Sequence, residues 1–187
     1  MILLVGKTCS GKSSVANALR DTYNYKKVVT YTTRPPREGE VNGVEYNFIS
    51  AEEFEQLKGA DFFFETTSYN VASGQTWYYG TAKKSLVNNA VIVMNPEGMK
   101  KMKNLLNPDE FKLDVIYLNV TEGTAWNRLR LRGDSSDEAQ RRIKADKEDF
   151  SNIEEYYDIS ITTDDLDPKE IARLIVLYIL NFRKAEE

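Results

Sequence analysis

Apolar residues fall into short unbroken runs toward both ends of the chain. Residues 2–5 form the first, uniformly apolar and too short for a helix, which predicts a strand covered on both faces. A glycine-rich turn follows. Residues 13–20 then place Val15, Ala18 and Leu19 at helical spacing. Residues 27–31, 90–94 (AVIVM), 113–120 (LDVIYLNV) and 159–162 predict further strands. Helices are predicted from Pro96, a favoured first helical residue, to about 106, and over 123–131, 135–150 and 168–182. This alternation predicts an α/β fold, a parallel sheet flanked by helices. Residues 32–81 break the rhythm. Residues 32–47 are rich in Arg, Pro, Gly and Glu, 52–57 suit a short helix capped by Ser50, 62–65 suit an aromatic strand, and 68–77 a hairpin or loop.

The totals narrow the chemistry. A chain of 187 residues is expected to form one domain and needs no staples. Its expected parts are a core of about 1–31, 82–122 and 146–187, an arm of about 32–81 and a lid of about 123–145. The net charge of −4 gives no general attraction to nucleic acid or anionic membrane, so any bound anion must be held by a local basic cluster. No apolar run approaches the ~20 residues of a membrane span. One cysteine, Cys9, excludes an intrachain disulfide and fits a reducing, cytoplasmic compartment. There is no histidine, so catalysis would rest on positioning, cations and carboxylates.

The sharpest local signal is GKTCSGKS, residues 6–13, which matches G-x-x-x-x-G-K-[ST] between a predicted strand and a predicted helix. Gly6 and Gly11 allow backbone approach that a Cβ would block, and the N–H groups of such a loop cradle phosphate oxygens. The following helix turns its positive end to the same anion. Lys12 supplies a point charge to the β- and γ-phosphates, and Ser13 offers a hydroxyl to Mg²⁺. Cys9, Ser10 and Ser14 complete the expected ATP-phosphate contacts. Cys9 reads as a small loop residue, not a nucleophile.

The segment YTTRPPREGEVNGVEYNF, residues 31–48, carries Arg34 and Arg37 on a Pro-stiffened loop, a pair suited to gripping a phosphate. This segment resembles the monophosphate-binding motif of guanylate kinases. So do Phe64-Glu65, Tyr78-Tyr79-Gly80-Thr81 and the late Asp164-Asp165-Leu166-Asp167. The resemblance runs from the first strand to about residue 175. It implies a P-loop core, a β-rich arm and an arginine lid, with ATP, Mg²⁺ and GMP or dGMP as cofactors and substrates. Arg34, Arg37, Tyr46 and Tyr79 match positions that hold the GMP phosphate. Thr30 and Thr81 match hydroxyl positions near guanine O6, and Glu65 the carboxylate that reads N1–H and the 2-amino group. Arg128, Arg132 and Arg142 match the arginines that clamp the transferring phosphoryl group.

The chain departs from the family pattern after the middle strand, where Val93 and Asn95 stand in place of two aspartates. Asn95 is expected to accept from the guanine 2-amino group through its carbonyl. Thr163 stands where the family has an asparagine near adenine, and the loop over 66–76 reads as lengthened. Two other readings stay open: a kinase for another (deoxy)nucleoside monophosphate, and a non-catalytic binding module of the same fold. The oligomeric state is open too.

Overall fold

The computed structural model describes residues 1–70 and 74–183. In chain order the strands are β1 (Ile2–Gly6), β2 (Lys26–Lys27), β3 (Tyr31–Thr32), β4 (Asn47–Phe48), β5 (Phe63–Asn70), β6 (Thr76–Ala82), β7 (Ala90–Val93), β8 (Asp114–Asn119) and β9 (Ile159–Thr162). The helices are α1 (Lys12–Tyr23), α2 (Ala51–Gly59), α3 (Pro96–Leu105), α4 (Glu122–Leu131), α5 (Ser136–Asp149) and α6 (Pro168–Arg183). No described helix is long and apolar enough to cross a membrane.

Five strands form a parallel sheet in the order β2-β7-β1-β8-β9, as the alternation of strands and helices predicts. All five residues of β1 are buried because its two faces feed two cores. Leu3 and Val5 pack with Ile92, Met99, Met102 and Val115 under α3. Ile2 and Leu4 pack with Val15, Leu19, Ile171 and Ile175 of α1 and α6. Burial of each such side chain contributes about 1.5–3 kcal/mol, which explains why a central strand carries no polar residue.

A second sheet, β4-β3-β6-β5, forms the arm beside this core. Its base is aromatic: Phe54 of α2 is wholly buried and stacks on Phe63 at 4.7 Å and on Tyr78 at 5.5 Å. Ser50 caps α2 as expected, its side chain accepting from Glu53 N–H at 3.0 Å.

Two sequence expectations are corrected. Residues 27–31 do not form one strand. Val28 N–H still bonds Val91 of the core sheet, whereas the Thr30 carbonyl accepts from Asn47 in the arm, so the chain changes sheets between them. The aromatic strand expected over 62–65 runs on to Asn70, and of the hairpin or loop expected over 68–77 the structure has antiparallel pairing, with β5 and β6 paired from Phe63↔Ala82 to Asn70↔Thr76. Part of the presumed loop, residues 71–73, lies outside the described residues.

A candidate phosphoryl-transfer cleft

A cleft of about 630 Å³ opens where β1 and β7 end, between the arm and the α4–α5 pair. That is where parallel α/β sheets place ligands, since the loops that follow the strands diverge there. Its floor is the loop between β1 and α1. A Cβ at Gly6 would collide with the Leu118 carbonyl oxygen and lie 2.5 Å from Ser10 Oγ. Gly11 takes φ 83°, which favours glycine. The N–H groups of Cys9, Gly11, Lys12 and Ser13 find no partner among the described residues. Unpaired donors at a helix start, inside a cleft, form an anion cradle. Gly6, Cys9, Ser10, Gly11, Lys12, Ser13 and Ser14 all line it.

Lys12 reaches back over the loop, donating to the carbonyls of Gly6 at 2.5 Å and Lys7 at 2.8 Å. Burial pushes its pKa down to about 8, and the nearby Asp146 carboxylate opposes that push. Asp146, on α5, accepts from Thr8 N–H at 2.8 Å and from the Thr8 hydroxyl at 3.3 Å. Arg128, on α4, donates to the Cys9 carbonyl at 3.0 Å and to the Thr163 carbonyl at 2.7 Å. Both helices of the pair are thus tied to the phosphate loop.

Arg132 and Arg142 also line the cleft. Arg132 donates to Asp134 at 2.6 Å and Arg142 to Glu138 at 2.6 Å, with Arg142 also 3.8 Å from Asp134. Across from them Arg37 projects from the arm with no side-chain partner among the described residues. Its pKa is lowered, first by burial in the cleft and then by repulsion from Arg142, Arg34 and Arg132. A doubly charged anion would relieve this crowding.

Arg34 does not reach the cleft. It is 4% exposed and lies behind the wall, donating to the Pro35 carbonyl at 2.7 Å and to Glu40 at 2.9 Å, over the rings of Tyr46 and Phe48. Glu40 also accepts from Arg37 N–H at 2.7 Å, so the pair shapes the turn that presents Arg37. Tyr46 and Tyr79 stand in the wall, 6.0 Å apart.

The arm end of the cleft holds a buried carboxylate. Glu65 is 7% exposed, its Oε1 accepts from the Thr81 hydroxyl at 2.7 Å, and Oε2 has no hydrogen-bond partner among the described residues. Burial pushes its pKa up to about 7, opposed by the Thr81 hydrogen bond. Thr30, Thr81 and Asn95 line the same end. The Asn95 carbonyl oxygen caps α3, accepting from Gly98 N–H at 2.6 Å, which leaves it one lone pair. Sequence reasoning missed Thr8, Glu40, Thr67, Tyr69, Asp146 and Asp149. Only Thr67 and Tyr69 carried a usable signal, as alternate positions in a Thr- and Tyr-rich run.

The family model for guanylate kinase matches residues 1–175. The chain belongs to the guanylate kinase family. The guanylate kinase of Nostoc sp. is 31% identical over 175 residues, 89% of this chain and 83% of that one. That of Neisseria gonorrhoeae is 32% identical over 170 residues, 86% of this chain and 78% of that one. The crystal structure of guanylate kinase from Anaplasma phagocytophilum superposes with a TM-score of 0.68 at 26% identity, covering 100% of this chain and 85% of that one. The YorR protein of Bacillus subtilis, solved in complex with phosphorylated GDP, shares the fold at a TM-score of 0.55 and 16% identity, with 98% of each chain covered. Guanylate kinases are kinases, and membership makes this chain an enzyme of that kind.

Proposed function

We propose that this guanylate kinase family enzyme transfers the γ-phosphoryl group of ATP to GMP and dGMP. The observation that carries the reading is the unpartnered, buried Oε2 of Glu65 at the arm end of a cleft whose other end is an anion cradle. A desolvated carboxylate needs donors, and guanine supplies them as N1–H and the 2-amino group. Adenine presents an acceptor at N1 and would leave Glu65 unpaired. Thr30 and Thr81 supply hydroxyls for O6, and Arg37, Tyr46 and Tyr79 hold the monophosphate.

The ATP phosphates occupy the loop, where Lys12 exchanges its carbonyl partners for phosphate oxygens. Ser13 fits a Mg²⁺ site of the nucleotide type, since its hydroxyl lines the cleft beside Lys12 and such ions keep water and phosphate as most of their ligands. When bound, the ion offsets phosphate charge. A monophosphate oxygen attacks the γ-phosphorus and the bond to the bridging oxygen breaks, leaving ADP. Lys12, Arg128, Arg132 and Arg142 stabilise the charge that spreads over the equatorial oxygens. Closure of arm and lid excludes water. The lone cysteine and the soluble substrates support a cytoplasmic setting.

The test is transfer from ATP to GMP, dGMP, AMP, UMP, CMP and dTMP under one set of conditions. GMP and dGMP are expected to lead. A preference for a pyrimidine monophosphate or AMP would overturn the base assignment. Chiral γ-phosphoryl label is expected to invert, whereas retention would mean a phosphoenzyme.

A further inference from the structure

The cleft reaches past the phosphate loop on both sides. In the core sheet β1 lies between β7 and β8, with β9 at the far edge. Asn95 follows β7 and lines the cleft with Glu65, whereas Thr163, Leu166, Pro168 and Ile171 follow β9 and line its opposite side. Arg128 ties that opposite side to the loop. Its terminal nitrogens donate to the Cys9 carbonyl at 3.0 Å, to the Thr163 hydroxyl oxygen at 3.3 Å, and to the carbonyls of Thr163 at 2.7 Å and Asp164 at 3.3 Å. With a monophosphate base at Glu65, a triphosphate whose phosphates fill the loop has the β9 side for its own base.

The two sides differ in what they offer a base. At Glu65 a buried carboxylate oxygen has no partner among the described residues and so demands N–H groups. On the β9 side, Asp164, Asp165 and Asp167 do not line the cleft. Asp164 accepts from Thr121 N–H at 3.3 Å and from the Thr121 hydroxyl, and Asp167 accepts from Lys169 N–H at 2.7 Å and Glu170 N–H at 3.0 Å at the start of α6. Leu166, Pro168 and Ile171 present aliphatic surface, which takes either purine ring. The buried Thr163 hydroxyl can donate to an oxo group or accept from an amino group, and a backbone carbonyl with a second lone pair accepts from any ligand N–H. None of these groups separates adenine from guanine. Resting on the reading that a nucleoside triphosphate occupies the loop, we propose that the donor side of this cleft is base-tolerant and takes purine nucleoside triphosphates as a class, GTP as well as ATP. With GTP, an oxygen of the acceptor monophosphate bonds to the γ-phosphorus while the bond to the β–γ bridging oxygen breaks, leaving GDP.

The experiment measures kcat/KM for ATP and for GTP with dGMP as acceptor, so that the product dGDP is distinct from the GDP left by the donor. The wild-type preference for ATP is expected to stay below about 10², the most that a pocket without a base-reading hydrogen bond imposes, whereas a site that reads by hydrogen bonds imposes about 10⁴–10⁵. Calorimetric Kd values for the β,γ-imido analogues of the two triphosphates should differ by no more than the same factor, without turnover. Thr163→Val removes the one side-chain hydroxyl on this side, and the ATP-to-GTP ratio is expected to change by less than about threefold. That ratio does not depend on how much of the variant folds. A wild-type preference above about 10², or a larger change of ratio in Thr163→Val, overturns the proposal alone. If neither triphosphate phosphorylates dGMP or any other monophosphate, the kinase reading falls and this proposal falls with it. Transfer to a different monophosphate removes only the guanine reading, and the donor ratio is then read with that acceptor.

Discussion

Glu65 and Thr81 face each other on adjacent strands of the arm, and the Thr81 hydroxyl donates to Glu65 Oε1 while Oε2 has no partner among the described residues. One oxygen is thereby oriented by the protein and the other is reserved for ligand. Glu65→Gln replaces the charged acceptor with an amide that presents N–H to guanine N–H. The loss of a charge-assisted hydrogen bond in a buried site is expected to cost about 1–3 kcal/mol, roughly a 5- to 150-fold rise in KM for GMP. Steady-state kinetics at pH 8 measures it, and an unchanged KM would remove Glu65 from the base site.

The same carboxylate predicts a pH dependence. Burial pushes its pKa up to about 7, so below that pH the group is protonated and offers guanine one acceptor fewer. The kcat/KM for GMP is expected to rise with pH through about 7 and then level, and the Glu65→Gln profile should lose that step. Stability runs the other way. A carboxyl that binds its proton more tightly in the folded chain stabilises the fold below the unfolded pKa, and this contribution is lost as pH rises through about 7. Thermal melts between pH 5 and 8 should therefore fall more steeply for the wild type than for Glu65→Gln.

Arg34 and Arg37 are neighbours in sequence with different positions in the structure. Arg34 is buried against Glu40, and Arg37 is the guanidinium left facing the cleft. Arg34→Ala strips a nearly buried carboxylate of its partner and is expected to cost more than 1 kcal/mol of stability. Arg37→Ala is expected to leave stability within about 0.5 kcal/mol and to raise KM for GMP at least tenfold. Denaturant melts and kinetics on both variants separate the roles, and equal stability losses would contradict the geometry.

Local patterns were legible and distant pairings were not. The five buried residues of β1 read directly as a covered strand, and the phosphate loop could be found because its parts are contiguous. The change of sheet between Val28 and Thr30 leaves no mark on the sequence, since strand propensity is the same in either sheet. β5 was cut short because Thr66–Asn70 looked polar, although threonine and tyrosine are strand formers on a half-covered face. Glu40 is one charge in the Arg-, Pro-, Gly- and Glu-rich segment and Asp146 one of many on a charged helix. Only the folded chain shows that one holds Arg34 and that the other lies against a loop 138 positions earlier.

Lys12 is expected to be needed for transfer and not for folding. Its ammonium rests on two loop carbonyls that water can serve when the side chain is removed. Lys12→Ala is expected to lower kcat by at least about 10²–10³, the scale of losing one charge-stabilising donor, with an unchanged melting temperature. Activity within tenfold of wild type would refute the assigned role.

Asp146 provides the last prediction. Its two oxygens take both the N–H and the hydroxyl of Thr8, so α5, which also carries Arg142, is held in register with the phosphate loop. The same carboxylate holds the Lys12 pKa up against the larger downward push of burial. These two effects separate by substitution. Asp146→Asn keeps an acceptor for Thr8 N–H and removes the charge, whereas Asp146→Ala removes both. If register is what matters, Asn should stay within about threefold of wild type in kcat and Ala should fall at least tenfold, because misplacing Arg142 weakens a contact made to the transferring group. If charge is what matters, the two variants should fall together. We expect the first pattern, since the incoming phosphates bring Lys12 a far larger negative charge than Asp146 supplies. Matching losses in Asn and Ala would show that the carboxylate acts on Lys12 and not on the docking of α5.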